Sequence, residues 1–211
     1  MRAIDHAIHA GTPLQPRRLA RLLLLGMLAL PVLAQSARAQ ESKGSGKEYV
    51  LDGSHTKISF SIGHFFVSAT QGLFASFDGK LNFDPRAPEQ GSVIIHVSPG
   101  SISTGNDARD AHLRTSDFFD VDKFPQVTFQ SQNLVKNSGD TGTLTGTLSL
   151  HGVSRPVRLN VTLRTPDLNA DRLDFTVTGT LKRSDYGMTN YLGVIGDEVS
   201  LDIQAEFTRA R

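Results

Sequence analysis

From residue 49 onward the chain alternates apolar and polar side chains one by one, and this period of two constrains the fold more than any other feature. A strand turns successive side chains to opposite faces, so strict alternation marks a strand with one dry and one wet face. In LFASFDGKLNFD (73–84) the apolar or small set is Leu73, Ala75, Phe77, Gly79, Leu81 and Phe83, against Ser76, Asp78, Lys80 and Asn82. Ile58, Phe60 and Ile62 alternate with Lys57, Ser59 and Ser61, and the pattern returns at Val93, Ile95 and Val97 and at Val127 and Phe129. In the second half the dry sets are Leu144, Gly146, Leu148 and Leu150; Val157, Leu159, Val161 and Leu163; Leu173, Phe175, Val177, Gly179 and Leu181; and Val199, Leu201, Ile203, Ala205 and Phe207.

These runs predict about eight strands, joined through turn-forming stretches such as DPRAPEQG, KNSGDTG and TPDLNAD. Parallel strands would be apolar on both faces, so the sheet is expected to be antiparallel, and many one-sided strands must either stack as two sheets or close into a barrel. Small residues inside the dry sets (Ala75, Gly79, Gly146, Gly179, Ala205) leave two readings open: room for a lumen, or sharp coiling at barrel corners. Lys57, Asp78, Lys80, Arg158, Arg164, Asp174 and Glu206 on the other face cannot contact lipid. A barrel with those charges inside would need aromatic girdles outside, and the chain has no Trp and three Tyr. The expectation is an all-β, soluble antiparallel barrel, apolar inside.

Residues 1–39 stand apart. Arg17, Arg18 and Arg21 precede the apolar run LLLLGMLALPVLA (22–34), and Ala37 and Ala39 frame a small-x-small cleavage signal, so a Sec-type signal peptide cut after Ala39 is expected. Its apolar run is shorter than the roughly 20 residues of a spanning helix. The leader carries five arginines and one aspartate, so the whole chain's charge of +1 becomes −3 once it is gone, which removes the electrostatic case for a nucleic-acid partner. QESKGSGKE (40–48) reads as a flexible tether, and 49–211 as one domain. The chain has no cysteine, and an exported protein without disulfides suits a bacterial periplasm.

One stretch breaks the alternation: RDAHLRTSDFFDVDKFP (109–125). Asn106 or Asp107 is placed to cap a short helix on which Asp110 and Arg114 are i,i+4 neighbours, and Phe118, Phe119, Val121 and Phe124 follow in line to reach the barrel. Arg109, Asp110, His112 and Asp117 form a charge cluster that invites an enzymatic reading. No paired-histidine metal spacing, nucleophile elbow or phosphate loop supports it, and His64 and His151 look like packing histidines at strand ends. No metal, cofactor or catalytic residue is therefore assigned.

Several ordered motifs nevertheless resemble one family, the YceI-like proteins: YVLDGSHTKISFSIGH, TQGLF (70–74), SISTGNDARDAHLRTSDFFDVDKFPQVTF (101–129), GTLSLHGVSRPV (146–157) and RSDYGM (183–188). Ser154 stands where the family pattern usually has Thr, and TNYLGVIGDE after RSDYGM falls in a variable place. The resemblance implies an extended, lipocalin-like antiparallel β-barrel whose apolar lumen accommodates a polyisoprenoid or other long-chain lipid, and it implies no catalytic residues. The lipid-lining set expected from the dry faces and the crossover is Phe60, Phe77, Leu81, Ile95, Phe118, Phe119, Phe129, Leu148, Val161, Phe175, Val177 and Ile203. The rival is an enzyme acting on an isoprenoid through Arg109, Asp110 and His112, and a third reading is a partner-binding domain. A homodimer is left open.

Overall fold

The structure is a computed structural model that describes residues 46–64 and 69–211. The predicted leader and residues 40–45 of the predicted tether lie outside the described residues. Eleven strands follow in the order β1 (Lys47–Leu51), β2 (Lys57–His64), β3 (Ala69–Phe74), β4 (Phe77–Phe83), β5 (Ser92–Val97), β6 (Ile102–Ser103), β7 (Val127–Lys136), β8 (Thr141–Leu150), β9 (Val153–Leu163), β10 (Arg172–Lys182) and β11 (Ile195–Arg209). Among the described residues one α-helix, α1 (Asp107–Arg114), lies between β6 and β7. β1 begins two residues inside the stretch read as tether. No helix among the described residues is long and apolar enough to cross a membrane.

Eight of these strands close a ring in the order β1, β4, β5, β7, β8, β9, β10, β11, with β11 returning to β1 and every neighbour antiparallel. The other three prolong the wall. The edge of β11 that pairs with β1 at Phe207–Leu51 goes on to pair with β2 from Gln204–Lys57 to Ile195–His64, so β1 and β2 are one interrupted wall strand. β3 continues β4 and β6 continues β5 in the same way. The predicted closed barrel of about eight antiparallel strands is the observed architecture.

The interruptions are held by side chains. Between β1 and β2 the amide of Asp52 donates to Glu206 O (2.8 Å), and Thr56 Oγ1 accepts from Glu206 N (3.0 Å), standing in for a ladder partner. Between β3 and β4 the Ser101 hydroxyl accepts from the amides of Ala75 and Ser76 (3.2 and 3.0 Å) and donates to Ser98 O. This second break corrects the sequence reading of 73–84 as one strand. Two residues leave the ladder, the inside–outside phase slips by one, and Phe74 faces the lumen while Ala75, expected inside, is exposed.

One end of the barrel is filled. Tyr49, Leu51, Leu81, Phe83, Leu173, Ala205 and Phe207 form a core cluster in which Tyr49 and Leu173 have no exposed surface. The Tyr49 hydroxyl leaves this cluster to donate to Ala170 O (3.1 Å). The β8–β9 hairpin turns on His151 and Gly152, both at positive φ (52° and 75°), the conformation that matches strand twist in a two-residue loop. His151 packs: its Nδ1 lies 3.0 Å from Tyr186 O and its ring meets Phe124 at 4.8 Å.

Candidate functional site: the barrel lumen

Above the filled end the dry faces do not meet. They enclose a cavity of about 720 Å³, within the range of small-ligand sites, with walls that are almost wholly apolar. Of the residues expected to line it, Phe60, Leu81, Ile95, Phe118, Phe119, Phe129, Leu148, Val161, Phe175, Val177 and Ile203 do so. Phe77 does not. It is the first residue after the β3–β4 break and packs against the core cluster rather than on the open volume. Sequence reasoning missed Phe74, Leu113 and Tyr191, which also line the cavity. Leu113 was within reach of a helical reading as the i+4 neighbour of Arg109, and Phe74 was hidden by the phase slip.

The mid-strand glycines do not create this space. A Cβ at Gly146 would come within 2.6 Å of the Phe129 ring, one at Gly79 within 2.5 Å of Ile95 Cδ1, and one at Gly179 within 2.6 Å of Leu159 Cδ2. Neighbouring side chains lie across each glycine, so the glycines permit close cover of the wall, and the lumen comes from the circumference of the ring. The sequence left open room for a lumen or sharp coiling at barrel corners; the space at these glycines is taken by neighbouring side chains, so the missing-volume reading does not hold.

The crossover 104–126 sits at the other end. Asn106 caps α1 by accepting from Arg109 N (3.0 Å). The expected Asp110–Arg114 pairing is not made. Asp110 is buried and accepts from Thr104 N (2.9 Å) and Thr104 Oγ1, while Arg114 donates to Gly100 O (2.7 Å) and Ile102 O (2.8 Å). Both charges serve backbone left unpaired where β5 gives way to β6, a demand stronger than a surface ion pair. The hydrogen bonds from Thr104, first that of its hydroxyl, hold the Asp110 carboxyl below its ordinary value.

Once α1 is pinned, Ala108, Arg109, His112 and Leu113 look onto the cavity. Arg109 is tied to Thr104 through Nε and Nη2 (2.7 and 2.8 Å), and His112 Nε2 lies 2.8 Å from Asp117 Oδ2. The Phe119 ring meets Phe74 edge-on at 5.9 Å, and Phe74 meets Phe60 at 5.5 Å, giving an aromatic line down one wall. Phe118 stacks on Tyr191 at 5.7 Å, with an interplanar angle of 14°. The segment is therefore a lid that also lines the lumen. Asp110, a member of the enzymatic reading, is turned to Thr104.

Asp52, His55 and Glu206 gather outside the wall, at the β1–β2 interruption, with their ligand-type atoms within 4.8 Å of one another. The DGSH spacing of Asp52 and His55 was legible in sequence, but Glu206 was not. His55 Nδ1 lies 3.1 Å from Asp52 and 3.7 Å from Glu206, and Glu206 also faces Arg172 at 3.9 Å. The Asp52 hydrogen bond, then the charge of Glu206, raises the His55 pKa. Asp52 is thus paired with His55 and Glu206 lies beside Arg172, and the cluster ties the interrupted strand to β11.

A YceI-like domain matches residues 49–207. Protein YceI of Salmonella newport is 37% identical over 164 residues, covering 75% of this chain and 85% of its own. Among solved structures, BcnA of Burkholderia cenocepacia has a TM-score of 0.69 at 25% identity, covering 74% of this chain and 98% of BcnA. A polyisoprenoid binding domain from Saccharophagus degradans, implicated in plant cell wall breakdown, has a TM-score of 0.60 at 19% identity, covering 77% and 98%, and shares the fold. With the matching domain running through all eleven strands, the chain belongs to the YceI-like family.

Proposed function

We propose that this chain is an exported, non-catalytic binding protein that holds the tail of a polyisoprenoid or other long-chain amphiphile inside its barrel. The observation that carries this is the 720 Å³ apolar cavity, stoppered at one end by Tyr49 and Leu173 and lidded at the other by the 104–126 crossover. Each buried methylene contributes about 0.8 kcal/mol, so about ten of them contribute roughly 8 kcal/mol before the cost of association, enough to retain a lipid if the site is preformed. The domain from Saccharophagus degradans, of the same fold, is named for polyisoprenoid binding, which supports the reading.

In this proposal residues 1–39 are the leader, removed after Ala39 on the way to the periplasm, a short tether follows up to β1, and the lipid-binding domain runs from Lys47 to the end of the given sequence, acting alone or as a homodimer. The lining residues named above form the tail site. The enzymatic alternative has little to work with: Asp110 is occupied by Thr104 and Asp117 by His112. The test is to purify the protein without detergent, extract it, and identify bound lipid by mass spectrometry. A one-to-one long-chain species is expected. An empty extract together with no saturable uptake of an isoprenoid or fatty amide would overturn the proposal.

A further inference from the structure

The stretch TNYLGVIGDE, whose last four residues open β11, carries an apolar tip at the mouth of the lumen. Among the described residues five large hydrophobic side chains are exposed, and three of them, Tyr191, Leu192 and Val194, fall within four positions of this loop. Val194 is the most exposed of the five, at 62%. Scattered exposed hydrophobics need no explanation, but a contiguous group on one loop does.

The loop is held firmly. Arg183, 4% exposed, donates from Nε to Gly196 O (2.8 Å), from Nη1 to Met188 O (2.7 Å) and Asn190 O (2.8 Å), and from Nη2 to Ile195 O (3.1 Å). Four of its five donors thus fix the two ends of the loop. Asn190 Nδ2 donates to Asp117 O (3.0 Å), and Tyr191 O accepts from Val194 N and Ile195 N (2.9 and 2.8 Å). Tyr191 itself sits at φ 61°, a backbone region unfavourable to a bulky residue. A buried guanidinium and a strained backbone are therefore used to present Leu192 and Val194 to the outside rather than to cover them. A solvated surface gains nothing from that arrangement.

What covers the tip follows from its neighbour. Tyr191 is half exposed, yet it also lines the lumen and stacks on Phe118, so one side chain belongs to both the tip and the cavity. Leu192 and Val194 do not line the cavity. Tyr191 thus joins the tip to the lumen, its ring lying against Phe118 and His112 while its hydroxyl donates to Asp117 Oδ2 (3.3 Å). A tyrosine beside two aliphatic side chains suits the boundary between lipid head groups and tails. In the crossover 104–126 and the stretch 182–198, Asp107, Asp110, Asp117, Asp120, Asp122, Asp185, Asp197 and Glu198 outnumber Arg109, Arg114, Lys123, Lys182 and Arg183, which does not favour an anionic surface.

Resting on the lipid-binding reading, we infer that the 188–195 loop docks the barrel mouth shallowly on a zwitterionic lipid surface, so that a tail passes between bilayer and lumen without entering water. The wild-type protein is mixed with phosphatidylcholine vesicles that carry a fluorescent long-chain probe. The rate of probe transfer is expected to rise in proportion to vesicle concentration, as collision requires. The double variant Leu192→Asp/Val194→Asp is expected to slow transfer by at least about tenfold, while uptake of a water-soluble, short-chain amphiphile from free solution is unchanged. Leu192→Phe is expected to retain fast transfer.

A transfer rate independent of vesicle concentration, or unaltered in the double variant, overturns the inference and leaves the lumen reading standing. Failure of the wild type to take up the soluble amphiphile overturns the lumen reading, and this inference with it. Loss of the variant's transfer defect only when a second protein is added would assign the tip to a protein partner, and that also overturns it.

Discussion

The two ends of this barrel are made from the same kind of strand and arrive at opposite states. At the filled end β1, β4, β10 and β11 keep their alternation unbroken, and Tyr49, Leu81, Leu173 and Phe207 meet across the axis. At the mouth the walls are continued by short pieces, β2, β3 and β6, separated from β1, β4 and β5 by breaks, and the rim is completed by α1 and the 188–195 loop. An unbroken ladder puts large side chains into one layer and closes it. A broken ladder changes the facing of the strand and hands the closure to segments that are pinned by polar side chains. Packing stabilises the first end and hydrogen bonding organises the second.

The largest effect should come from the filled end. Leu173→Ala is expected to cost about 2–5 kcal/mol in urea unfolding, as for a fully buried leucine, and to leave lipid stoichiometry intact. Should lipid retention fall in proportion to stability, the two ends are not separable in the way described. Next, Gly146→Ala pushes a methyl into the Phe129 ring and Gln130 O and is expected to cost about 1–3 kcal/mol, with the displaced ring entering the cavity and reducing the length of tail accepted. A neutral outcome would mean that the wall can shift outward there.

Phe119→Ala is expected to act mainly on function, raising the off-rate of bound lipid by about tenfold with a smaller loss of stability than Leu173→Ala, since its ring faces the open volume. Stopped-flow displacement of a bound probe measures it. The smallest effect is electrostatic. The folded-state pKa of Asp110 is depressed, so its contribution is present above the ordinary carboxylate value near 3.8 and is lost as pH falls through the lower, folded-state value. Asp110→Asn should therefore be less stable than the wild type at neutral pH, and the gap should narrow only below about pH 4. A gap that stays constant down to pH 2 would show that the Thr104 contact does not depend on the carboxylate charge.

The same contrast separates what was legible from what was not. Nine of the ten expected strand residues face the lumen because a period of two, once in phase, assigns every later residue in the strand, and Phe118 and Phe119 reach it from the crossover. Phe74 was missed because the Ala75–Ser76 break is stabilised by Ser101, about 25 residues away, and no local signal announces it, whereas Phe77 keeps the phase of β4 and is taken up by the core cluster. Asp110 and Arg114 were read as a local pair, and tertiary structure offered each a better partner in unpaired backbone between Gly100 and Thr104.

Alternation with charged outer faces is enough to require antiparallel sheet that is dry on its inner face and either stacks or closes, because only closure or stacking removes so many half-apolar strands from water. The ordered motifs are enough to place the chain among YceI-like proteins. Whether the interior is packed or hollow is not written in any one strand, since each glycine, read alone, suits either. It depends on how eight strands share one circumference and on where three of them break, and those are properties of pairing across the ring.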